Sequence, residues 1–379
     1  MNCPPDTALV LTGGGARGAY QVGVLKAIAE QFPGLHDPFP ILCGTSAGAL
    51  NAVGLASRAG IFRHAVEHME SVWENLSADK VYKNDFISLA RQLGRFAKAI
   101  MGTDGDHSRA SLLDNTPLRH FLEGEINFDA MNEAIQNNRL RAVCVTACGY
   151  ASGQSISFFQ AKEEVSGWHL GQRVGLRTTL NVDHLLASSA IPMIFPPVRI
   201  HREYFGDGVT RQMAPLSPAI HLGARRLLVI SVSANRTCSV IRRKQTHAPT
   251  IAGIMEHILN ALFLDTVDND IDRALAMNDL IQALPPEVTA QRGLSPLDIL
   301  VISPSQPIND IARKHLQGLP PTLRRVLGGN DPEEASGSLA SYLLFDADFC
   351  KALIQLGYED AKAHAKMLDN FIRCNEDTV

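Results

Sequence analysis

The sequence predicts an α/β fold built on a mainly parallel sheet with helical crossovers. Two units carry that prediction. Residues 7–12, Thr-Ala-Leu-Val-Leu-Thr, read as a short buried strand that runs into Gly13-Gly14-Gly15-Ala16-Arg17-Gly18, and residues 19–30 follow as a helix marked by Val22, Val24, Leu25, Ile28 and Ala29. Residues 41–45 read as a second strand and residues 47–59 as its helix. Strand, turn and helix twice within 60 residues require parallel strands joined by crossovers. A third observation agrees: 379 residues with 45 % hydrophobic and 20 % charged side chains can bury a sizeable core.

The other elements follow in order. Ile61, Phe62, Ala65, Val66, Met69, Val72, Trp73 and Leu76 mark an amphipathic helix. Phe86, Ile87, Leu89, Leu93, Phe96, Ala97, Ile100 and Met101 form an apolar stripe flanked by Arg91, Arg95 and Lys98, which suits either core packing or a lid or interfacial helix. Thr116-Pro117 reads as a helix start. Residues 140–147 and 155–160 read as strands linked by a hairpin turn at 149–153. Residues 182–189 read as a helix closed by Ile191-Pro192. Residues 199–205 read as one short strand ending at Gly206-Asp207-Gly208, and 226–233 as another buried strand. A basic loop with Arg236, Arg242, Arg243 and Lys244 then separates residues 1–235 from a mainly helical extension, 236–379, with helical patterns at 251–283 and 338–372 around a Pro- and Gly-rich stretch.

Bulk properties exclude some classes. The net charge is −4, which lacks the basic excess of a nucleic-acid binder. Seven cysteines at irregular spacing argue against a disulfide scaffold and fit a reduced, cytoplasmic setting. The N-terminal residues show no signal-peptide pattern, and no apolar run approaches the ~20 residues of a membrane span.

Several motifs carry chemistry. Gly13, Gly15 and Gly18 match the Gly-x-Gly-x-x-Gly dinucleotide fingerprint, with Asp37 about 20 residues on. Asp37, however, precedes the second strand, whereas the ribose-binding acid should close it. What survives is a nest of backbone N–H groups at a helix start, favourable to an anion such as a transient oxyanion. His64-Ala65-Val66-Glu67-His68 matches a zinc pattern, but that face lies opposite the apolar stripe and reads as a solvated surface without metal. Gly44-Thr45-Ser46-Ala47-Gly48 is the strongest signal: a serine between glycines, with a strand before and a helix after, is the arrangement of a nucleophile elbow. A serine needs a base. His201 and His247 are poorly placed for that role. Asp207 sits in Gly206-Asp207-Gly208, where a catalytic carboxylate and an ordinary turn are both tenable.

Together these residues resemble the patatin-like phospholipase family in its bacterial form. Residues 13–18 resemble its glycine-rich oxyanion loop, Gly44 to Gly48 its elbow, and Asp207-Gly208 the start of its Asp-Gly-Gly/Ala motif. Residues 187–197, Ala-Ser-Ser-Ala-Ile-Pro-Met-Ile-Phe-Pro-Pro, are similar to a segment of the bacterial members, as is Ser-Tyr-Leu-Leu-Phe at 341–345. The resemblance covers about residues 7–233 and implies a three-layer α/β/α domain. It also implies a lipid acyl hydrolase with a Ser46–Asp207 dyad, no histidine, and neither metal nor cofactor. Gly13, Gly14, Gly15, Arg17 and Gly18 would then serve the oxyanion or the substrate, with Arg17 steadying the loop or meeting a lipid phosphate. Val209 departs from the family, which has Gly or Ala there, so either the backbone is ordinary or the pocket is narrower. The implied partners are a lipid or lysolipid and, reversibly, a membrane surface. The C-terminal helices would serve a homodimer or cover the sheet edge. Rival readings are an acyltransferase of the malonyl-carrier-protein transacylase type using the same serine chemistry, and a non-enzymatic lipid-binding protein with a degraded site.

Overall fold

A computed structural model describes residues 3–85, 111–233, 265–326 and 337–373, with a few further positions in 91–94 and 254–262. The apolar stripe expected at 86–101 falls almost entirely outside the described residues, as do the basic loop, His247 and the boundary at 235/236.

Among the described residues ten strands form one mixed sheet in the order β10-β9-β1-β2-β3-β4-β6-β5, with β8 paired to β3 and β7 to β8. Strands β1 (Thr7–Leu11), β2 (Ile41–Thr45) and β3 (Ala142–Gly149) lie parallel, and β9 (Arg226–Ile230) continues the parallel run on the other side of β1. Beyond β3, the strand β4 (Ser155–Ala161) turns back antiparallel, followed by β5 (Trp168–Leu170) and β6 (Arg173–Arg177). The expected 140–160 hairpin is therefore present. The single strand expected at 199–205 is instead a hairpin, β7 (Val198–Ile200) and β8 (Glu203–Asp207), which turns at His201 with φ 52°. His201 is exposed there. It lies six residues from Asp207, about 20 Å along an extended strand, so it is no partner for that end of the sheet.

Alternation along the strands builds two cores. Leu9, Leu11, Leu42, Val143 and Val145 face one side, and Ala8, Val10, Ile41, Cys43, Ala142 and Cys144 face the other. The first face carries α1 (Ala19–Gln31), α2 (Ala47–Ala56) and α3 (Phe62–Glu74). The second is covered by the short helix Ser217–His221 and the long helix Asp265–Gln282. This is the expected three-layer arrangement.

The part after 236 does more than cover the fold. Asp-Ile-Leu-Val-Ile at Asp298–Ile302 forms β10, which pairs parallel with β9 and extends the sheet. Two aliphatic strands side by side bury their backbone polar groups in each other, which outweighs the surrounding prolines. The helix expected over 338–372 is three helices: Gly337–Leu343, Ala347–Ala363 and Ala365–Arg373. Asp346 caps the second through the Phe349 N–H. Helix Ala347–Ala363 lies along α1, where the Tyr20 hydroxyl donates to Asp360 Oδ2 at 3.0 Å. Between β2 and β3 the chain forms a short turn, Ala78–Val81, then α4 (Thr116–Glu125) and α5 (Phe128–Gln136). The second of these was not marked by the sequence pattern. No helix among the described residues is long and apolar enough to cross a membrane.

Candidate active site

Parallel strands point their C-terminal ends to one edge, and ligand sites of open α/β sheets lie there. The glycine loop follows β1 and Ser46 follows β2, so both stand at that edge. Asp37 does not. It precedes β2 and accepts from the Gly60 N–H at 2.6 Å, at the opposite end of the strand, which removes the dinucleotide reading.

Ser46 has φ 56° and ψ −128°, a conformation that side chains rarely adopt. Such strain costs on the order of 1–3 kcal/mol and persists only where the surroundings enforce it. They do so here through two close approaches. A Cβ on Gly44 would meet Gly48 O at 2.2 Å, and one on Gly48 would meet Leu11 O at 2.2 Å. The turn is thus pressed against α2 on one side and β1 on the other. The Ser46 N–H donates to Ser188 Oγ at 2.9 Å, and the Ser188 hydroxyl donates to Thr146 O at 2.6 Å. The segment 187–197 therefore holds the elbow. It also holds the acid, since the Asp207 N–H donates to Ala190 O at 2.8 Å.

Asp207 ends β8, which pairs with β3, and the carboxyl is fully buried. Its Oδ1 accepts from the Val209 N–H at 3.0 Å, whereas Oδ2 has no partner with ordinary hydrogen-bond geometry. Burial pushes the Asp207 pKa up to about 7, with the Ser46 hydroxyl and the Val209 N–H pulling in the other direction. Ser46 and Asp207 are thus neighbours, one strained and one protonated at an unusually high pH. No histidine among the described residues hydrogen-bonds Ser46.

Val209 keeps an ordinary backbone and lines a small void with Thr45, Thr146 and Gln212, and it is not among the residues that line the cavity at Ser46. Gly208 is the constrained position, because a Cβ there would meet Thr146 O at 2.2 Å.

The glycine loop turns through Gly15 at φ 56° and opens α1 through one tight turn, Gly15–Gly18. Gly15 and Ser46 line the same cavity. Arg17 points the other way. It is 2 % exposed, donates to Ser341 Oγ and Asn309 Oδ1 at 2.8 Å each, and lies over the Tyr342 ring. A Cβ on Gly15 would meet Tyr342 O at 2.2 Å. Arg17 is therefore placed to hold the loop against the C-terminal helices, and its guanidinium is turned from any substrate phosphate.

The space beside Ser46, open solvent included, amounts to about 860 Å³. It runs from Gly15 and Ser46 between α2, α3 and α4. Leu50, Gly54, Met69, Val72, Trp73, Leu118, Phe121 and Leu122 make its walls, closed by Ile191, Phe195 and Phe345. At its rim Arg58, His68 and Glu125 meet: His68 Nε2 lies 2.9 Å from Glu125 Oε2, and Arg58 Nη2 lies 3.5 Å from the same oxygen. The sequence placed His68 on a solvated face. Its partner is instead a carboxylate from another helix, while His64 is exposed. No group of three or more His, Cys, Asp or Glu side chains among the described residues is arranged to hold a metal ion.

Comparison with known proteins shows what the chain is similar to. Two curated relatives are similar at 28 % identity: a cGAMP-activated phospholipase of Escherichia coli, over 215 residues, and one of Pseudomonas aeruginosa, over 207 residues. Each alignment covers 54 % of this chain and 52 % or 53 % of the relative, so the chain spans about half the length of the curated relatives it matches. The crystal structure of VipD from Legionella pneumophila aligns over 98 % of this chain and 68 % of its own, at 13 % identity and a TM-score of 0.36. The model of the patatin-like phospholipases matches residues 9–220, from the glycine loop through the elbow to beyond Asp207. That is more than half of the sequence, and the chain belongs to the patatin-like phospholipase family.

Proposed function

We propose that this protein hydrolyses carboxylic esters of lipids through an acyl-enzyme on Ser46, with Asp207 as its base. The observation that carries the reading is the strained Ser46 beside a buried carboxyl, opening on an apolar cavity. Ser46 Oγ attacks the ester carbonyl, forming the Oγ–C bond while its proton passes to Asp207. The carbonyl oxygen becomes an oxyanion facing backbone N–H groups of the glycine loop and of Ala47 at the start of α2. Donors of this kind are worth ~3–4 kcal/mol each in the transition state. The C–O bond to the alcohol breaks and Asp207 returns the proton to it. Water then attacks the acyl-enzyme by the same route, which releases the fatty acid and frees Ser46.

A carboxyl that titrates near neutrality suits both proton transfers. Its raised pKa keeps it basic enough to accept from a hydroxyl. The relatives' names add a phospholipid substrate and activation by cGAMP, so phospholipid vesicles with and without cGAMP belong in the substrate screen. The decisive experiment is labelling with a fluorophosphonate, followed by peptide mapping. An adduct on Ser46, absent in Ser46→Ala and weakened in Asp207→Asn, is the expected result. A folded protein that labels elsewhere, or a Ser46→Ala variant that still turns over ester, would overturn the assignment.

A further inference from the structure

The cavity has a direction. Along α2 its lining positions are Ala47, Leu50, Asn51 and Gly54, spaced three to four residues apart on one helix face, and Arg58 follows in the turn after the helix. Helices α3 and α4 present apolar stripes to the same space, and both stripes end at the same level, in His68 and Glu125. Three helices thus run out of apolar surface where Arg58, Glu125 and His68 meet. These side chains are 27 %, 33 % and 37 % exposed, so the channel reaches water there.

Gly54 is the odd residue in this wall. It lies inside α2, where glycine is the poorest helix former after proline. No positive φ requires it, and a Cβ would meet only Ile126 Cδ1, at 4.0 Å. Neither backbone conformation nor packing excludes a side chain at this position. What a side chain would occupy is the channel.

We propose that Gly54 and the Arg58–Glu125–His68 cluster set the length of the acyl chain, with room for about 14 carbons beyond Ser46 in the length available. This rests on the reading of Ser46 as the acylated residue. The dimension follows from the helix: α2 rises about 15 Å from Ser46 to Ala56, the turn after it brings Arg58 to about 18 Å, and Gly54 stands at about 12 Å. An extended chain with C–C bonds of ~1.5 Å and near-tetrahedral angles advances about 1.25 Å per carbon. Gly54 therefore lies beside carbons nine or ten, and the charged rim beside carbon 14 or so. Each methylene that enters the apolar section raises affinity about fourfold, and those that reach the rim add nothing because they meet water and ion-paired groups.

The test uses p-nitrophenyl esters of four to 18 carbons, below their aggregation concentrations, with wild type, Gly54→Leu, Gly54→Ala and Ser46→Ala. For wild type, kcat/KM is expected to climb with chain length and stop climbing near 14 carbons. Gly54→Leu should lower the ratio of kcat/KM on the 14-carbon ester to that on the eight-carbon ester by at least tenfold. Gly54→Ala should lower it at least threefold, and this smaller change serves if the leucine variant does not fold. A wild-type profile that still climbs steadily at 18 carbons would overturn the proposal. So would a folded Gly54 variant whose ratio stays within twofold of wild type. Turnover of the four-carbon ester by Ser46→Ala would instead sink the nucleophile assignment, so the two failures are distinguishable.

Discussion

Replacing Asp207 with asparagine should abolish activity and stabilise the protein, and the second effect should grow as pH rises from about 4 and be complete above about 7. The carboxyl is fully buried and its pKa is pushed up to about 7 by that burial. In the unfolded chain an aspartate titrates at about 3.9. Between these values the folded protein holds a proton that the unfolded chain has released. Stability therefore falls as pH rises through this window: the group does no harm below about pH 4 and exerts its full destabilisation above about pH 7. Each unit of difference is worth about 1.36 kcal/mol, so three units amount to roughly 4 kcal/mol. Asp207→Asn keeps the size and the oxygen that accepts from the Val209 N–H, presents an amide to the Ser46 hydroxyl, and carries no charge. At ~2.1 cal/mol/K per residue, 4 kcal/mol corresponds to about 5 °C in Tm for a chain of 379 residues. Thermal unfolding of both proteins at pH 4, 5, 6, 7 and 8 reads this directly. The expected result is equal Tm at pH 4 and a gap opening to several degrees at pH 8. A gap that is the same at every pH would mean that Asp207 titrates as an ordinary carboxylate, and would refute the argument. The same titration should appear in wild-type kcat/KM, which rises tenfold per unit below about pH 7 and levels above it.

Three further outcomes follow from the contacts. Arg17→Ala loses the buried hydrogen bond to Ser341, the half-buried one to Asn309 and the Tyr342 face contact, which should cost about 3 kcal/mol in urea unfolding and lower kcat about a hundredfold. Arg17→Lys should recover little, because one ammonium cannot serve both acceptors and the ring. Ser188→Ala leaves the Ser46 N–H and Thr146 O without their shared partner, so kcat should fall about tenfold with a loss of about 1–2 kcal/mol in stability. Val209→Ala should lower stability by about 1–2 kcal/mol and leave the chain-length profile alone, since Val209 does not line the cavity at Ser46. A changed profile would place Val209 beside substrate after all.

The reading of the sequence succeeded where local pattern and local structure coincide. The run Ile41–Thr45 is a strand with the bounds that its apolar residues suggested, and the glycines around Ser46 stand where their missing side chains matter. It fell short where structure is decided at a distance. Strand Asp298–Ile302 has a clear aliphatic run, but only pairing with Arg226–Ile230 makes it part of the sheet. The hairpin at His201 lacks the Asn-Gly or Gly signal of a tight turn, and a histidine takes the positive φ instead. Arg17 stands beside a glycine loop in sequence, which leaves open whether it steadies the loop or meets an anion. Its partners are residues nearly 300 or more positions later, which no local pattern encodes. His68 and Glu125 each look like surface residues on their own helices, and only their meeting at Arg58 marks the end of a channel.

The clasp between Arg17 and the pair Asn309 and Ser341 has a consequence for how the protein is made. Ser46 and Asp207 are both translated before residue 210, but the glycine loop beside them packs against Asn309, Ser341 and Tyr342. A growing polypeptide therefore holds this serine and aspartate before the loop is braced. Synthesis from the N-terminus thus imposes an order in which the glycine loop is clamped last, after the helix Gly337–Leu343 has emerged and docked.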